Sequence, residues 1–370
     1  MRILYRDCEK AFNKFTYIEE QNVFLIEDDE HKAIEYHPIL SLDATYNPAK
    51  FGWRRYYNYS KSHAESSIYQ VFVGEQRIGW VFPIQALLSA EHDCSNNPYF
   101  LRYAYVATRF LLDNVNRVFD YMPDEFRLDD VFNDVAECIL VYDKENCGKL
   151  EHFDLDEYTV GLFKYGYSVT ASDVDTCIDL GNLEGEKRTC LRIKPIAQEF
   201  RDETYIKLLF EKQLPIEKNE IVRFHFIYQI VEILIGIVFD HHFKRIISEM
   251  GSSGANLFEL KDLITKEAGE KHRIIQLFSE FVVGIGSDYK SELNEACIGF
   301  LDCNNIKFKD DFIQNLYDAR CFLVHRLYSF DPKTIELLSY VNQAFLALII
   351  EVLCAFKMPE SKAETTPLRE

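Results

Sequence analysis

The spacing of apolar residues changes character near residue 200. Before that point, short runs rich in β-branched and aromatic residues dominate, as in 67-SIYQVFVGEQRIGWVFP-83. This pattern predicts a hairpin with its turn near Gly74-Glu75. The stretch 101-LRYAYVATRFLLDNVNRVFDYM-122 repeats its apolar positions at three and four, which predicts an amphipathic helix. Residues 166–193 return to strand-like segments broken by glycine-containing turns.

From about residue 200 the pattern is helical throughout. Asn219 suits an N-cap and Glu220 a first turn, and 221-IVRFHFIYQIVEILIGIVFDHHFKRIISEM-250 continues for many turns. Gly251-Ser-Ser-Gly254 predicts its end, and its apolar content predicts deep burial. Further helices are predicted near 257–283, 288–301, 309–328 and 332–357, the last opened by Pro332 behind an Asp331 cap. Such elements make a bundle of four or five helices joined by short loops.

Composition sharpens this reading. Hydrophobic residues make up 48% of the 370 and aromatics 14%, which excludes general disorder. The length favours two domains. The predicted class is α+β, with a mixed α/β domain over 1–198, an all-α domain over 199–358 and a disordered tail over 359–370. The formal charge is −19, and the first 200 residues hold 34 acidic against 21 basic side chains. That balance excludes binding of DNA or an anionic membrane through a broad positive surface, so any nucleic-acid contact must be local.

Ten cysteines are present without a C-x-x-C pair, so neither a zinc site nor a disulfide framework has its usual spacing. Reduced thiols are expected. The start, MRILYRDCEKAF, lacks the apolar core of a secretory signal. The runs 233-ILIGIVF-239 and 344-AFLALII-350 fall short of the roughly 18 uninterrupted apolar residues of a membrane span. A cytoplasmic protein with no membrane partner is expected.

The candidate chemistry lies in 318-DARCFLVHRLYSF-330. Arg320 and His325 are five residues apart, about 140° around a helix. A metal pair would prefer spacings of three or four. The arginine is long enough to fold back toward the imidazole, and a second copy across a dimer axis would gather two of each around one phosphate. Metal-free RNA cleavage needs such parts. A base takes the proton of the attacking 2′-hydroxyl, an acid protonates the leaving 5′-oxygen, and a fixed cation stabilises the charge on phosphorus. Histidine can fill the acid or base role, and arginine clamps phosphate oxygens. A position near a helix C-terminus also favours a protonated His325. The bland account is a solvated arginine and a core-edge histidine spaced by chance.

Here the sequence resembles the HEPN superfamily, in particular its ApeA-like, abortive-infection branch. The resemblance rests on 317-YDARCFLVHR-326, an arginine followed after four residues by histidine, and on the long helix around 224-FHFIYQIVEIL-234; it spans roughly 200–357. It implies a HEPN-like helical bundle and a dimeric, metal-independent endoribonuclease without cofactor, with Arg320 and His325 as motif residues. It also implies RNA as substrate, a defence or toxin role, and a regulatory first domain whose trigger is a protein or a phage-derived signal. Cys321 departs from the family, which often has a polar residue there. Glu232, an acid in the most apolar part of the long helix, is the expected partner of Arg320, because a buried carboxylate requires one. Arg326 could add a phosphate contact. The alternative is a non-catalytic HEPN bundle that docks a partner protein or a nucleotide.

Three other features carry weaker signals. Asp240-His241-His242 invites a metal reading, but the residues continue a helix. The stretch 51-FGWRRYYNYSK-61 interleaves aromatic and basic residues as a base-stacking surface would, and equally as a folded aromatic strand with solvated arginines. His225 shares the face of Glu232, where a satisfied core histidine is the default. No P-loop and no G-x-S-x-G occurs.

Overall fold

The structure is a computed structural model that describes residues 1–5, 8–58, 60, 63–64, 66–118, 125–171, 189–253, 257–282, 284–326 and 331–359. The chain is mixed α and β, with its sheets in the first half and helices in the second. It divides into two compact units, Met1–Lys194 and Pro195–Glu370.

The first unit runs β1 (Arg2–Tyr5), β2 (Cys8–Ile18), β3 (Val23–Asp28), β4 (Ala33–Tyr36), β5 (Phe51–Asn58), β6 (Tyr69–Val73), β7 (Gln76–Pro83), α1 (Pro98–Asp113), β8 (Asn116–Val118), β9 (Glu137–Asp143), α2 (Lys144–Cys147), α3 (Thr159–Phe163), β10 (Tyr167–Ser168) and β11 (Cys190–Ile193). Two sheets form among the described residues, in the orders β4-β3-β2-β1-β8 and β10-β5-β9-β7-β6-β11. The expected hairpin is β6–β7. Val73 pairs with Gln76 across the two-residue turn, where Gly74 takes φ +58°, a left-handed conformation that glycine adopts without strain.

Strand β9 reads as an unbroken apolar run because the six-stranded sheet is buried on both faces. Ile139 and Val141 join a core with Trp80 and Phe82 of β7 and Phe100 of α1, whereas Cys138 and Leu140 face Val81, Tyr56 and Leu162 on the other side. Helix α1 also meets the five-stranded sheet, where Tyr105 stacks on Phe24 with ring centres 5.7 Å apart. It starts at Pro98 behind an Asn97 cap, earlier than its periodicity suggests, and ends at Asp113. The chain then forms β8, which pairs parallel with β1; a helix as far as Met122 is thus incorrect over the described residues. Residues 172–188, within the predicted strand-like region, lie outside the described residues.

The second unit contains α4 (Thr204–Leu208), α5 (Glu220–Ser253), α6 (Leu257–Glu267), α7 (Glu270–Gln276), α8 (Ser287–Cys303), α9 (Phe312–His325) and α10 (Pro332–Ala355), with π-helical turns at Leu209–Gln213 and Leu277–Phe281. Asn219 Oδ1 caps α5 by accepting from the Ile221 and Val222 amides. Asp331 Oδ1 caps α10 through the Thr334 amide at 2.7 Å. The predicted segment 257–283 is split at Ala268-Gly269 into α6 and α7, so the unit has more helices than the expected four or five. Helix α10 packs on α8 and α5, and α9 on α8 and α7. The core includes Phe224, Leu234, Leu277, Phe300, Leu338 and Phe345, none more than 0% exposed. Buried Asn342 ties α10 to the start of α5 by donating to the Glu220 carbonyl and carboxylate, both at 2.7 Å.

Deep burial of α5 holds for only part of its length. Glu220–Ser248 and Pro332–Ala355 are both long and apolar enough to cross a membrane by length and composition, but 72% of the apolar window in α10 is buried, against 50% in α5. Each window contains at most two charged residues, so neither is an uninterrupted apolar run. In α5 the less buried side carries Phe226, Ile233 and Ile237 together with exposed Gln229, Glu232 and Asp240. Cys94, Cys138, Cys147, Cys190, Cys297, Cys303, Cys321 and Cys354 are free thiols. Of the predicted tail, residues 360–370 lie outside the described residues.

Candidate active site on helix α9

Helix α9 is anchored by its cap and its core face. Asp311 Oδ1 accepts from the Ile313 amide at 3.1 Å, and Ile313, Leu316, Ala319, Phe322 and Leu323 are buried at helical spacing. Phe322 meets Phe300 of α8 edge to face, with ring centres 5.6 Å apart. Neither Arg320 nor His325 is among the buried residues, although Arg320 lies in line with Leu316 and Leu323. The arginine side chain is 25% exposed, and the histidine is exposed at the last residue of the helix.

Arg320 turns toward α5 and α7. Its Nη2 lies 3.9 Å from Glu232 Oε1, and its Nε lies 4.0 Å from Glu270 Oε1. The guanidinium carbon stands 5.6 Å from the centre of the Tyr228 ring, a cation–π distance. Tyr228 donates its hydroxyl to Glu270 Oε1 at 2.7 Å. One turn of α5 thus supplies Tyr228 and Glu232, the first residue of α7 supplies Glu270, and α9 supplies the cation.

The electrostatics follow from this arrangement. Burial works against the Arg320 charge; Glu270 is foremost among the influences that outweigh burial and hold its pKa above the usual arginine value. Burial, reinforced by the hydrogen bond to Glu270, pushes the Tyr228 hydroxyl well above the usual tyrosine range. Tyr228 therefore stays neutral and donates. Cys321 is half-buried beside Arg320, and its influence raises the pKa of Tyr317 one turn earlier.

The expected Arg320–Glu232 contact is present, but its expected cause is not. Glu232 is 53% exposed, so the carboxylate is not a buried charge requiring a partner. Nor does the Arg320 side chain fold back toward His325; the contacts that reach it come from Tyr228, Glu232, Glu270 and Cys321. Glu270 and Tyr228 were not legible as site residues. Tyr228 does lie four before Glu232 on one helix face, a signal that was available. Glu270 became visible only with the break at Gly269. Arg326 is an exposed C-cap whose amide donates to the Phe322 carbonyl at 2.8 Å. Residues 327–330, where the predicted end of this helix falls, lie outside the described residues.

The other candidates resolve into structural roles. The His242 side chain is 1% exposed. Gln276 Nε2 and Arg245 Nη2 each approach its Nδ1 at 3.3 Å, and Glu280 lies 3.4 Å from its Nε2. Glu267 accepts from Gln276 at 2.6 Å and faces His272 at 3.5 Å. No group of three or more His, Cys, Asp or Glu placed to hold a metal ion occurs among the described residues. This cluster joins α5 to α6 and α7. His225 is half-buried against Phe224, edge to face. In the 51–61 stretch, β5 is an interior strand whose Arg54 and Arg55 pair with Asp156 and Glu137. Trp53 stacks on Phe110, so both types of side chain are occupied within the fold; Tyr59 and Lys61 lie outside the described residues.

Comparison with protein-family models, with curated proteins and with solved structures finds no match for this chain.

Proposed function

We propose that the protein is a metal-independent endoribonuclease of the HEPN type, with Arg320 and His325 as its catalytic residues. The observation that supports this reading is that both cationic side chains of α9 stay accessible, the imidazole exposed and the guanidinium partly exposed. The 2′-hydroxyl attacks the adjacent phosphorus as its proton passes to a base. The P–O5′ bond breaks as an acid returns a proton to the leaving oxygen, giving 2′,3′-cyclic phosphate and 5′-hydroxyl ends. His325 serves in this proton transfer, and Arg320 neutralises the charge on the phosphoryl oxygens. Arg326 is positioned by sequence to add a phosphate contact, and Cys321 sits beside the guanidinium in a supporting place.

The active form in this reading is a homodimer through the helical bundle. Its support is the side of α5 that leaves Phe226, Ile233 and Ile237 only half-buried. The acidic first unit serves as sensor or regulator in a cytoplasmic defence or toxin system. The test is incubation of wild type and the Arg320→Ala and His325→Ala variants with total cellular RNA in EDTA, followed by sequencing of the cut ends. Cleavage by wild type alone is the expected result. Equal cleavage by His325→Ala, or loss of wild-type activity in EDTA, would overturn it.

One observation favours a second reading. Two carboxylates face Arg320, which suits a structural arginine in a non-catalytic HEPN bundle that docks a partner protein. Gel filtration with and without RNA at low salt separates the two, because phosphate contacts are strongest there. A protein-docking module gives no RNA-dependent shift.

A further inference from the structure

The arrangement around Arg320 has a property that positioning alone does not require. Its carboxylate contacts are 3.9 and 4.0 Å long, well beyond the roughly 2.7–2.9 Å of a charge-assisted hydrogen bond. Neither glutamate therefore takes up the guanidinium in the forked geometry that arginine offers to a carboxylate or a phosphate. Both nevertheless keep negative charge within 4.0 Å of the guanidinium, and a phosphate taking up the same group would be repelled by it.

Of the two, Glu270 is the better placed to control the site. Its Oε1 accepts the Tyr228 hydroxyl at 2.7 Å, so its position is set independently of Arg320. Tyr228 is 2% exposed and stacks on Phe224 in the core, which makes it a firm anchor. Glu270 opens α7 immediately after the Ala268-Gly269 break, so any shift of that helix start moves the carboxylate with it. Glu232 is mostly solvated, which weakens its field at Arg320.

We infer that Glu270 is an autoinhibitory counter-ion for Arg320, held in place by Tyr228, and that a phosphodiester must displace it to reach the guanidinium. This rests on the reading of Arg320 as a phosphate ligand. The substrate class it implies is a phosphodiester anion with spare oxygens to take both edges of the fork, which a carboxylate held at 4.0 Å does not do.

The experiment is fluorescence anisotropy with a short single-stranded RNA in EDTA at low salt, using full-length protein. Compared with wild type, Glu270→Gln binds about two- to fivefold more tightly, the range of a partly exposed ion pair. Glu270→Ser removes the same charge and gives the same direction of change, which guards against misfolding of either variant. Glu336→Gln, which removes a charge from the exposed side of α10, leaves affinity unchanged. In an Arg320→Ala background the gain from Glu270→Gln disappears. No gain, an equal gain in Glu336→Gln, or a gain that persists without Arg320 overturns the inference. Cleavage by wild type that is lost in His325→Ala, with no gain in Glu270→Gln, leaves the nuclease reading intact and removes only the counter-ion. An Arg320-dependent gain without cleavage by any variant does the reverse.

Discussion

Tyr228 on α5 donates its hydroxyl to Glu270 on α7 at 2.7 Å, and the same carboxylate oxygen faces Arg320 on α9 at 4.0 Å. Three helices thus meet at one polar contact beside the candidate catalytic arginine. The tyrosine ring is buried, so removing its hydroxyl deletes a hydrogen bond without opening the core. Tyr228→Phe is expected to cost about 1 kcal/mol, below the usual value for a bond to a charged acceptor because solvent reaches Glu270. Urea unfolding of the two proteins measures it, and an unchanged midpoint would show that water replaces the bond at no cost.

His325 closes α9 and is exposed, with its helix held by Phe322 and Leu323 instead. His325→Ala is therefore expected to change stability by no more than about 0.5 kcal/mol. Under the nuclease reading it removes cleavage, with the loss on the order of 100-fold or more expected when a general acid or base is deleted. Thermal unfolding and cleavage of total RNA, run on the same preparation, separate the two effects. A large drop in melting temperature would place His325 in the fold and not in the chemistry.

How far the sequence led depends on whether a feature was local. The caps at Asn219 and Asp331 and the Gly74-Glu75 turn are set by a few adjacent residues, and each is where the pattern placed it. The end of α1 was misread because Arg117 and Val118 fit a helical period, while the competing parallel pairing with β1 comes from residues over a hundred positions away. The contact of Arg320 with Glu232 was legible; that of Arg320 with Glu270 was not, because it requires knowing that α7 starts anew after Gly269 and turns its first residue toward α5. Exposure of Glu232 was also hidden, since an apolar helical run does not reveal which side remains uncovered.

The polar cluster around Glu267 makes a distinct prediction about acid. Burial raises the pKa of this carboxyl, but the hydrogen bond from Gln276 and the proximity of His242 and His272 outweigh it, and the folded-state pKa lies below the usual glutamate value. A depressed folded pKa means that the unfolded chain takes up the proton first. The stabilisation is therefore complete above the unfolded glutamate pKa of about 4.3 and is lost as pH falls through the lower folded value. Glu267→Gln removes this dependence. The difference in unfolding free energy between wild type and variant should be present at about pH 5 and shrink as the solution is acidified below about pH 4. A constant difference down to pH 3 would contradict the assignment.

Gly79 tests the double-faced sheet of the first unit. It lies in β7 opposite Tyr142 of β9, and a Cβ added there would stand 2.0 Å from the Val141 carbonyl oxygen and 2.8 Å from the Tyr142 Cα. Those atoms are backbone of an interior strand and cannot rotate away as a side chain could. Relief requires that β7 and β9 separate locally, which disturbs Trp80 and Phe82 on one face and Val81 on the other. Gly79→Ala is thus expected to destabilise the protein by about 1–3 kcal/mol or more, the range of overpacked cores, despite the usual gain from restricting a glycine in the unfolded chain. Gly74→Ala in the neighbouring turn provides the contrast. Nothing lies within 4 Å of its added Cβ, so its cost comes only from the φ of +58° and should be smaller. Chemical unfolding of both variants decides the point, and equal losses would mean that the approach of β9 to Gly79 is not what sets the cost.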